Sequence, residues 1–406
     1  MTIQTYTFPN NIRLLHVQEA SEVAYAGVVV NTGTRDELLS ESGYAHLTEH
    51  MLFKGTSKRN STQIINRLED VGGELNAYTS KEETVVYSVF LKQYLQRAVE
   101  LLADVVFNSV INESDLEKEI DVVIDEIHSY MDSPSELIVD DFEDELFSSY
   151  SIGRNILGSE ASLKSCTPSV LKDFIKRTYT TDEMVFFTLG DFSLDKIMRL
   201  VWKHISSVPS SSRLYKRETP FEYTPRTIEK DKKTLQTHYI LGNRAFSAKD
   251  ENRFPFYLLN NILGGQGMNS KLNMALRERN GLVYTVESHF TPYCDTGAWS
   301  VYFGADHADV PKAVRLIQKE LSKLKEQPVS ETKLKHAKQQ LLGQMVIAGE
   351  NKESWIISTA KYFLMFNTVM PKAEMEARIS NVSAMQLCEV ANQCFQADKF
   401  THLRYY

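Results

Sequence analysis

The sequence predicts an α+β fold of two homologous domains, each a mostly antiparallel sheet packed with helices. Three observations lead to it: the length of the chain, a linker-like segment near its middle, and a repeated order of elements. The 406 residues exceed what one hydrophobic core usually serves. The central segment is rich in Ser, Pro and charged residues. We therefore expect an N-terminal domain over residues 1–210, a linker over 211–230 and a C-terminal domain over 231–406.

The two halves run through similar elements in the same order. The first half predicts, in turn, a strand, a helix, a strand with alternating apolar positions and a helix: AYAGVVVN, GYAHLTEHMLF, NAYTSKEETVVYSVFL and LQRAVELLADVV. The second half predicts a strand, a helix, two strands and a helix: THYILGNRAF, FPFYLLNNIL, VYTVESHF, GAWSVYFGA and VPKAVRLIQKELSKL. Each half then carries an amphipathic helix with a Ser cap signal: VINESDLEKEIDVVIDEI and PVSETKLKHAKQQLLGQM. Helices packed on one antiparallel sheet per half explain this pattern most simply.

Bulk composition excludes several classes of protein. A net charge of −8 argues against a nucleic-acid binder, which needs concentrated positive charge. No 18-residue apolar run and no signal-peptide pattern occurs, so we expect a soluble, cytoplasmic protein without a membrane partner. The four cysteines form no C-x-x-C pair, which indicates neither a disulfide framework nor a thiolate zinc site.

The segment His46-Leu47-Thr48-Glu49-His50 carries the strongest chemical signal. Two His four positions apart project from one face of a helix, at a separation suited to one metal ion. Glu49 falls beside them, close enough to hold a metal-bound water. The rest of this helix is apolar, and a metal would satisfy all three polar side chains. The alternative interpretation is a chance His pair that packs against neighbours or solvent.

A third ligand is expected from another element, and the helix from Glu113 to Tyr130 offers candidates. On a helical wheel Glu119 and Glu126 point the same way, at the edge of the apolar arc, whereas the other acids of this helix point away from it. Such carboxylates need a cation or His partner. Two glutamates that reach to solvent from a helix boundary remain the alternative.

Several blocks of the sequence resemble the pitrilysin family of inverzincin peptidases, which includes insulin-degrading enzyme and the mitochondrial processing peptidases. The matching blocks are SGYAHLTEHMLFKGT (42–56), GGELNAYTSKEETVVY (72–87) and EIDVVIDEI (119–127). The resemblance covers essentially the whole chain and is that of a short, two-domain, bacterial-type member.

The resemblance implies roles for the residues that match the family pattern. His46, His50 and Glu126 would bind one Zn²⁺ per chain, and Glu49 would be the general base that activates the bound water. Glu119 would support the site without binding the metal. The second half has no H-x-x-E-H of its own, because its parallel helix reads YLLNN with Asn in place of His50.

Substrate-binding residues also follow from the resemblance. Asn76, Ala77, Tyr78 and Thr79 match an edge strand that holds a peptide extended. Arg277 and Tyr284 match a substrate-binding pair, in which Tyr284 could also donate to the oxyanion. From composition alone the first four are an ordinary sheet edge, and the pair is a surface Arg and a strand Tyr. The run GGQG (264–267) completes no phosphate-binding motif and is read as a turn.

The expected function is therefore zinc-dependent endopeptidase activity on extended peptides or short unstructured polypeptides inside a closed chamber. Long family members place four such domains in one chain, so this chain resembles one clamshell half of a chamber. We expect a homodimer in which Arg277 and Tyr284 act in trans. The alternative is a non-catalytic or regulatory subunit of a hetero-oligomeric assembly like the processing peptidases, although such proteins usually lack an intact metal motif.

Overall fold

The computed structural model describes residues 1–406, which group into two compact units. The first unit comprises residues 1–128, 154–217 and 349–370, and the second comprises residues 129–153, 218–348 and 371–406. Each unit contains one sheet with helices on both of its faces. The predicted α+β class with one largely antiparallel sheet per domain is confirmed.

The first unit has a six-stranded sheet in the order β1-β2-β6-β3-β5-β4. Only the β2–β6 pair is parallel. The strands are β1 (Thr2–Thr7), β2 (Arg13–Gln18), β3 (Val23–Val30), β4 (Glu74–Thr79), β5 (Thr84–Leu91) and β6 (Met184–Gly190). All residues of β6 are buried, which agrees with its position between two other strands.

The second unit has a five-stranded sheet in the order β7-β11-β8-β10-β9. Only the β7–β11 pair is parallel. The strands are β7 (Thr227–Lys230), β8 (Thr237–Arg244), β9 (Val283–Pro292), β10 (Gly297–Ala305) and β11 (Thr401–Tyr405). If β2 to β6 are matched in chain order with β7 to β11, the two sheets have the same strand order and the same single parallel pair. This agreement in strand topology confirms the internal duplication.

Fourteen α-helices and one π-helical segment, Asn273–Glu278, complete the fold. The helices are α1 (Tyr44–Leu52), α2 (Ser61–Glu69), α3 (Leu95–Phe107), α4 (Glu113–Met131), α5 (Pro134–Leu146), α6 (Glu160–Lys164), α7 (Pro168–Thr178), α8 (Leu194–Ile205), α9 (Arg253–Gly264), α10 (Val310–Glu326), α11 (Glu331–Ala348), α12 (Lys352–Phe366), α13 (Lys372–Ser380) and α14 (Ala384–Cys394). None of the helices combines the length and the apolar character that crossing a membrane requires.

Two helices lie outside the continuous boundaries expected from the sequence. Helix α5 belongs to the second unit, where Ile138 and Phe142 pack with Ile240 and Leu403 of its sheet. Helix α12 belongs to the first unit and covers the sheet face that carries Val29, Val85 and Val185. In both cases an apolar helix face covers a sheet face that water would otherwise reach.

Local structure differs from expectation in two further places. The expected single strand NAYTSKEETVVYSVFL is a hairpin of β4 and β5, because the Ser80 hydroxyl accepts the Glu83 N–H at 3.0 Å and donates to the Glu83 carbonyl at 3.0 Å. The segment expected to be a linker, 211–230, contains no helix, and its last four residues form β7.

A buried carboxylate holds the start of this linker segment against the first unit. Asp36, whose side chain is fully buried, accepts hydrogen bonds from Tyr215 at 3.0 Å and from the Arg217 guanidinium at 2.7 and 3.0 Å. A guanidinium nitrogen of Arg213 lies 3.8 Å away. Burial alone would raise the pKa of Asp36, but the two guanidinium groups hold it below its ordinary value of 3.8.

We predict that Asp36→Asn lowers the free energy of unfolding by about 3 kcal/mol, at the low end for a broken buried pair, because Arg213 and Arg217 lose the charge of Asp36 while Arg217 keeps Glu82 at 3.5 Å. Since the pKa of Asp36 is lowered on folding, its stabilising contribution is present at neutral pH and is lost as the pH falls below about 4. Urea unfolding of both proteins between pH 3 and 7 measures the two effects. A variant as stable as the wild type would contradict this role.

Candidate functional site

Helix α1 is fixed at its start by a buried acid that precedes it in the chain. The Glu37 carboxylate accepts the backbone N–H of Gly43 at 3.1 Å and that of Ala45 at 2.8 Å. Gly43 has φ +95°, and a Cβ atom there would lie 2.7 Å from the Leu157 carbonyl oxygen. The sequence pattern did not reveal this cap, because Glu37 lies six residues before Gly43 instead of next to the helix.

Helices α1 and α4 bring three potential metal ligands together. The rings of His46 and His50 lie 4.6 Å apart between centroids. Nε2 of His46 is 3.9 Å and Nε2 of His50 is 3.7 Å from Oε2 of Glu126. One ligand atom from each of the three residues lies within 4.8 Å of the others. Two imidazole nitrogens and one carboxylate form the His₂Glu donor set of catalytic zinc sites, so these residues fit that metal.

The electrostatics of the pair favour neutral imidazole at His46. Burial and the neighbouring His50 lower the pKa of His46 to about 4. Neutral imidazole is the form that binds a metal, because its unprotonated nitrogen keeps a lone pair. Nδ1 of His46 is buried without a hydrogen-bond partner, whereas Nε2 faces Glu126, another of the potential metal ligands.

Glu49 lies beside these ligands and is held by the edge strand of the sheet. The hydroxyl of Thr79 donates to Oε2 of Glu49 at 2.6 Å. Burial raises the pKa of Glu49, although this hydrogen bond and His50 act in the opposite direction. Oε1 accepts no hydrogen bond from the chain. Glu49 therefore has one fixed oxygen and one available oxygen.

Glu119 and Glu126, which the helical wheel placed together, have different environments. The Glu119 side chain is 7% exposed and lies 3.1 Å from Nδ1 of His50 and 2.6 Å from Nζ of Lys54. The Glu126 side chain is 44% exposed. Because a carboxylate accepts, Nδ1 of His50 is the donor to Glu119, and in the neutral imidazole the lone pair is then on Nε2, which faces Glu126. Sequence reasoning missed Lys54, which stands four positions after His50, in the turn that follows α1.

The four residues expected to form an exposed edge lie in β4, whose only strand neighbour is β5. The side chain of Ala77 packs towards the helices of the first unit, whereas Tyr78 packs with Tyr87 on the opposite face of the sheet. Asn76 and Thr79 complete the edge. The outer backbone groups of β4 have no partner strand, so this edge can accept an extended chain.

Arg277 and Tyr284 lie in the second unit and line one cavity of about 780 Å³. Arg277 belongs to the π-helical segment, and Tyr284 is the second residue of β9 with 89% of its surface exposed. The GGQG loop lines the same cavity. Arg277, Tyr284 and the GGQG loop, the candidate residues of the second half, thus lie around one cavity.

This cavity occupies the position in the second unit that corresponds to the metal ligands of the first. Helix α9 follows β8 as α1 follows β3, and pairing HLTEH with YLLNN matches His46 with Tyr257 and His50 with Asn261. The paired sequences of α4 and α11 match Glu126 with Gln344. The three counterparts Tyr257, Asn261 and Gln344 all line the cavity. A neutral phenol and two amides are poor zinc ligands, so the duplication did not retain the donor set.

Comparison with known proteins identifies the family. The family model "Insulinase (Peptidase family M16)" matches residues 14–160, and the model "Peptidase M16 inactive domain" matches residues 165–341. The chain belongs to peptidase family M16. The resemblance seen in the sequence motifs is confirmed, and the first model covers the half of this M16 chain that contains His46, His50 and Glu126.

Relatives of similar length carry names that agree with this family. An uncharacterized zinc protease of Bacillus subtilis is 30% identical over 98% of this chain and 96% of its own. One from Mycobacterium leprae is 33% identical over 95% of this chain and 88% of its own. The fold matches a Pseudomonas fluorescens structure described as a peptidase M16 inactive domain, with a TM-score of 0.91 and 20% identity over 100% and 98% of the chains. It also matches the structure of a protease from Helicobacter pylori, with a TM-score of 0.89 and 21% identity over 100% of this chain and 99% of that chain.

We predict that the purified protein binds about one zinc ion per chain and that His46→Ala or Glu126→Ala removes most of this zinc, because three protein ligands are needed. Metal analysis after dialysis against a weak chelator measures the content. His128→Ala is the matched control, since His128 lies on α4 but contacts Glu160. Zinc content unaffected by both ligand substitutions would rule out this site.

Proposed function

We propose that this protein is a zinc-dependent endopeptidase that hydrolyses extended peptides or short unstructured polypeptides. The observation that carries the proposal is the convergence of Glu126 of α4 with His46 and His50 of α1, beside Glu49. Helix α1 is fixed by polar contacts at both ends. The family and the names of the relatives support zinc-dependent proteolysis as the general activity. When bound, zinc supplies a Lewis acid that lowers the pKa of water and polarises a carbonyl.

Glu49 acts in this proposal as the general base. Thr79 fixes its Oε2, and Oε1 takes the proton from the water that attacks the peptide carbonyl. The pKa of Glu49 is raised towards neutral pH, which makes its carboxylate a stronger base. The same carboxyl group then donates the proton to the leaving amine.

The edge of β4 positions the substrate. Backbone groups of Asn76 to Thr79 pair with the peptide, so its sequence matters less than its ability to become extended. Thr79 belongs to the same strand and donates to Glu49, which supports a binding mode in which the paired peptide lies next to the base. Peptides already folded into stable helices or sheets are therefore poor substrates.

Arg277 and Tyr284 complete the site in trans within a homodimer that encloses the substrate. The exposed phenol of Tyr284 and the half-exposed guanidinium of Arg277 are free to contact a peptide carbonyl or an oxyanion. The second unit keeps this pair but lacks zinc ligands, whereas the first unit contains the zinc ligands. This division supports sharing between chains. The intact donor set favours an enzyme over a non-catalytic or regulatory subunit.

We predict that Glu49→Gln lowers kcat at least about 100-fold while zinc content stays unchanged, because the amide keeps the shape but cannot accept a proton. Hydrolysis of a quenched peptide library, paired with metal analysis, separates these effects. Glu69→Gln, an exposed acid on α2, is the matched control and should retain full activity. A zinc-loaded Glu49→Gln enzyme with wild-type turnover would overturn the role of Glu49.

A second prediction concerns sharing between chains. A mixture of Glu49→Gln and Arg277→Ala proteins, each inactive alone, should recover about a quarter of wild-type activity, since random exchange makes half the dimers hybrid, with one complete site each. The control mixes Arg277→Ala with the doubly substituted chain, which supplies no intact Arg277. If the first mixture stays as inactive as the control, the residues are not shared in trans.

A further inference from the structure

One buried carboxylate connects a zinc ligand to a lysine at the end of the metal helix. Oε2 of Glu119 lies 3.1 Å from Nδ1 of His50, and Oε1 of the same carboxylate lies 2.6 Å from Nζ of Lys54. The Glu119 side chain is 7% exposed and that of Lys54 is 32% exposed. Both carboxylate oxygens are thus engaged by α1 and the turn that follows it.

We infer that Lys54 is a positioning residue of the zinc site, which fixes Glu119 so that His50 presents Nε2 to the metal. The inference rests on the proposed function, because it gives Lys54 a task only if His50 binds zinc. Lys54 does not contact His46 or Glu126 in the structure, so its effect passes through Glu119 and His50 alone.

The physical reason is the cost of a buried charge. A buried carboxylate is stable as an anion only when it is paired, and an imidazole that binds a metal is neutral, so it does not supply a counter-charge. The ammonium of Lys54 supplies it at 2.6 Å. With Lys54 removed, Oε1 of Glu119 loses its partner, so the carboxylate can rotate away from His50 and Nδ1 of His50 loses its acceptor. A metal-binding His without that acceptor is less basic and less well oriented.

The position of Lys54 in the chain makes this contact specific. The turn after α1 is held by the Lys54 N–H, which donates to the Met51 carbonyl at 3.2 Å. Glu119 lies one helical repeat of seven residues before Glu126 on α4, so the same helix supplies the support and the third ligand. The nearby Lys58 differs, since its side chain is 62% exposed and its partner, at 4.0 Å, is Asp104.

Zinc affinity, measured by competition with a chromophoric chelator, tests the inference on the full-length protein. We expect Lys54→Met to weaken zinc binding about 10-fold, in the lower range for groups that support a ligand. Lys54→Arg should restore most of the affinity, and Lys58→Met should leave it unchanged. Lys54→Gln, which keeps a donor without the charge, replaces Lys54→Met if that variant does not fold.

A double-mutant cycle distinguishes positioning from a general structural effect. Because Lys54 acts through Glu119, adding Lys54→Met to Glu119→Gln should weaken zinc binding no further than Glu119→Gln alone. Independent, additive losses, or a Lys54→Met variant with wild-type affinity, would overturn the inference. A wild-type protein that binds no zinc would instead remove the proposed zinc site, so the two failures are distinguishable.

Discussion

The packing of α1 against α4 is the interaction on which the candidate site depends. Ala45, Leu47 and Met51 of α1 share one apolar cluster with Leu116 and Val123 of α4. Their burial fixes the two helices relative to each other, and the polar edges of both helices then meet along one line. With these apolar residues buried together, His46 and His50 face Glu126.

Polar contacts at the two ends of α1 orient the helix more precisely than this apolar packing does. Glu37 binds the first backbone N–H groups of the helix, while Glu119 and Lys54 engage its last turn. A metal ligand must be held within a fraction of an ångström, and apolar contacts alone do not provide that precision because they are not directional. Hydrogen bonds and ion pairs supply the direction.

The sequence predicted the elements well wherever one residue periodicity extended over a whole segment. The strands and helices of both halves, the apolar arc of α4 and the H-x-x-E-H face follow from periods of 2 and 3.6 residues. The wheel also brought Glu119 and Glu126 to one edge, but it could not separate them, because their burial depends on the distance to α1. Lys54 and Glu37 were missed for a similar reason, since each lies outside the periodic helix segments and acts through a tertiary contact that no local pattern shows.

The sequence did not predict which unit each helix joins, for a different reason. An apolar helix face indicates that a helix packs on something, but not on which sheet. Helix α5 lies in the first half of the chain and packs on the second sheet, whereas α12 lies in the second half and packs on the first sheet. The hairpin of β4 and β5 resembles one strand in the sequence, because its turn at Ser80 carries no Gly or Pro. Residue periodicity shows which face of a helix is buried, whereas the sheet that covers this face is set by the tertiary structure.

The exchange of α5 and α12 is reciprocal, because α5 follows α4 as α12 follows α11 in the duplicated order. Each half of the chain donates the same element to the other, which is the connectivity of a domain-swapped pair joined into one polypeptide. Neither half therefore encodes a complete core. During synthesis, the sheet of the first unit keeps one apolar face uncovered until the chain reaches residue 370, so its final folding follows translation of most of the protein.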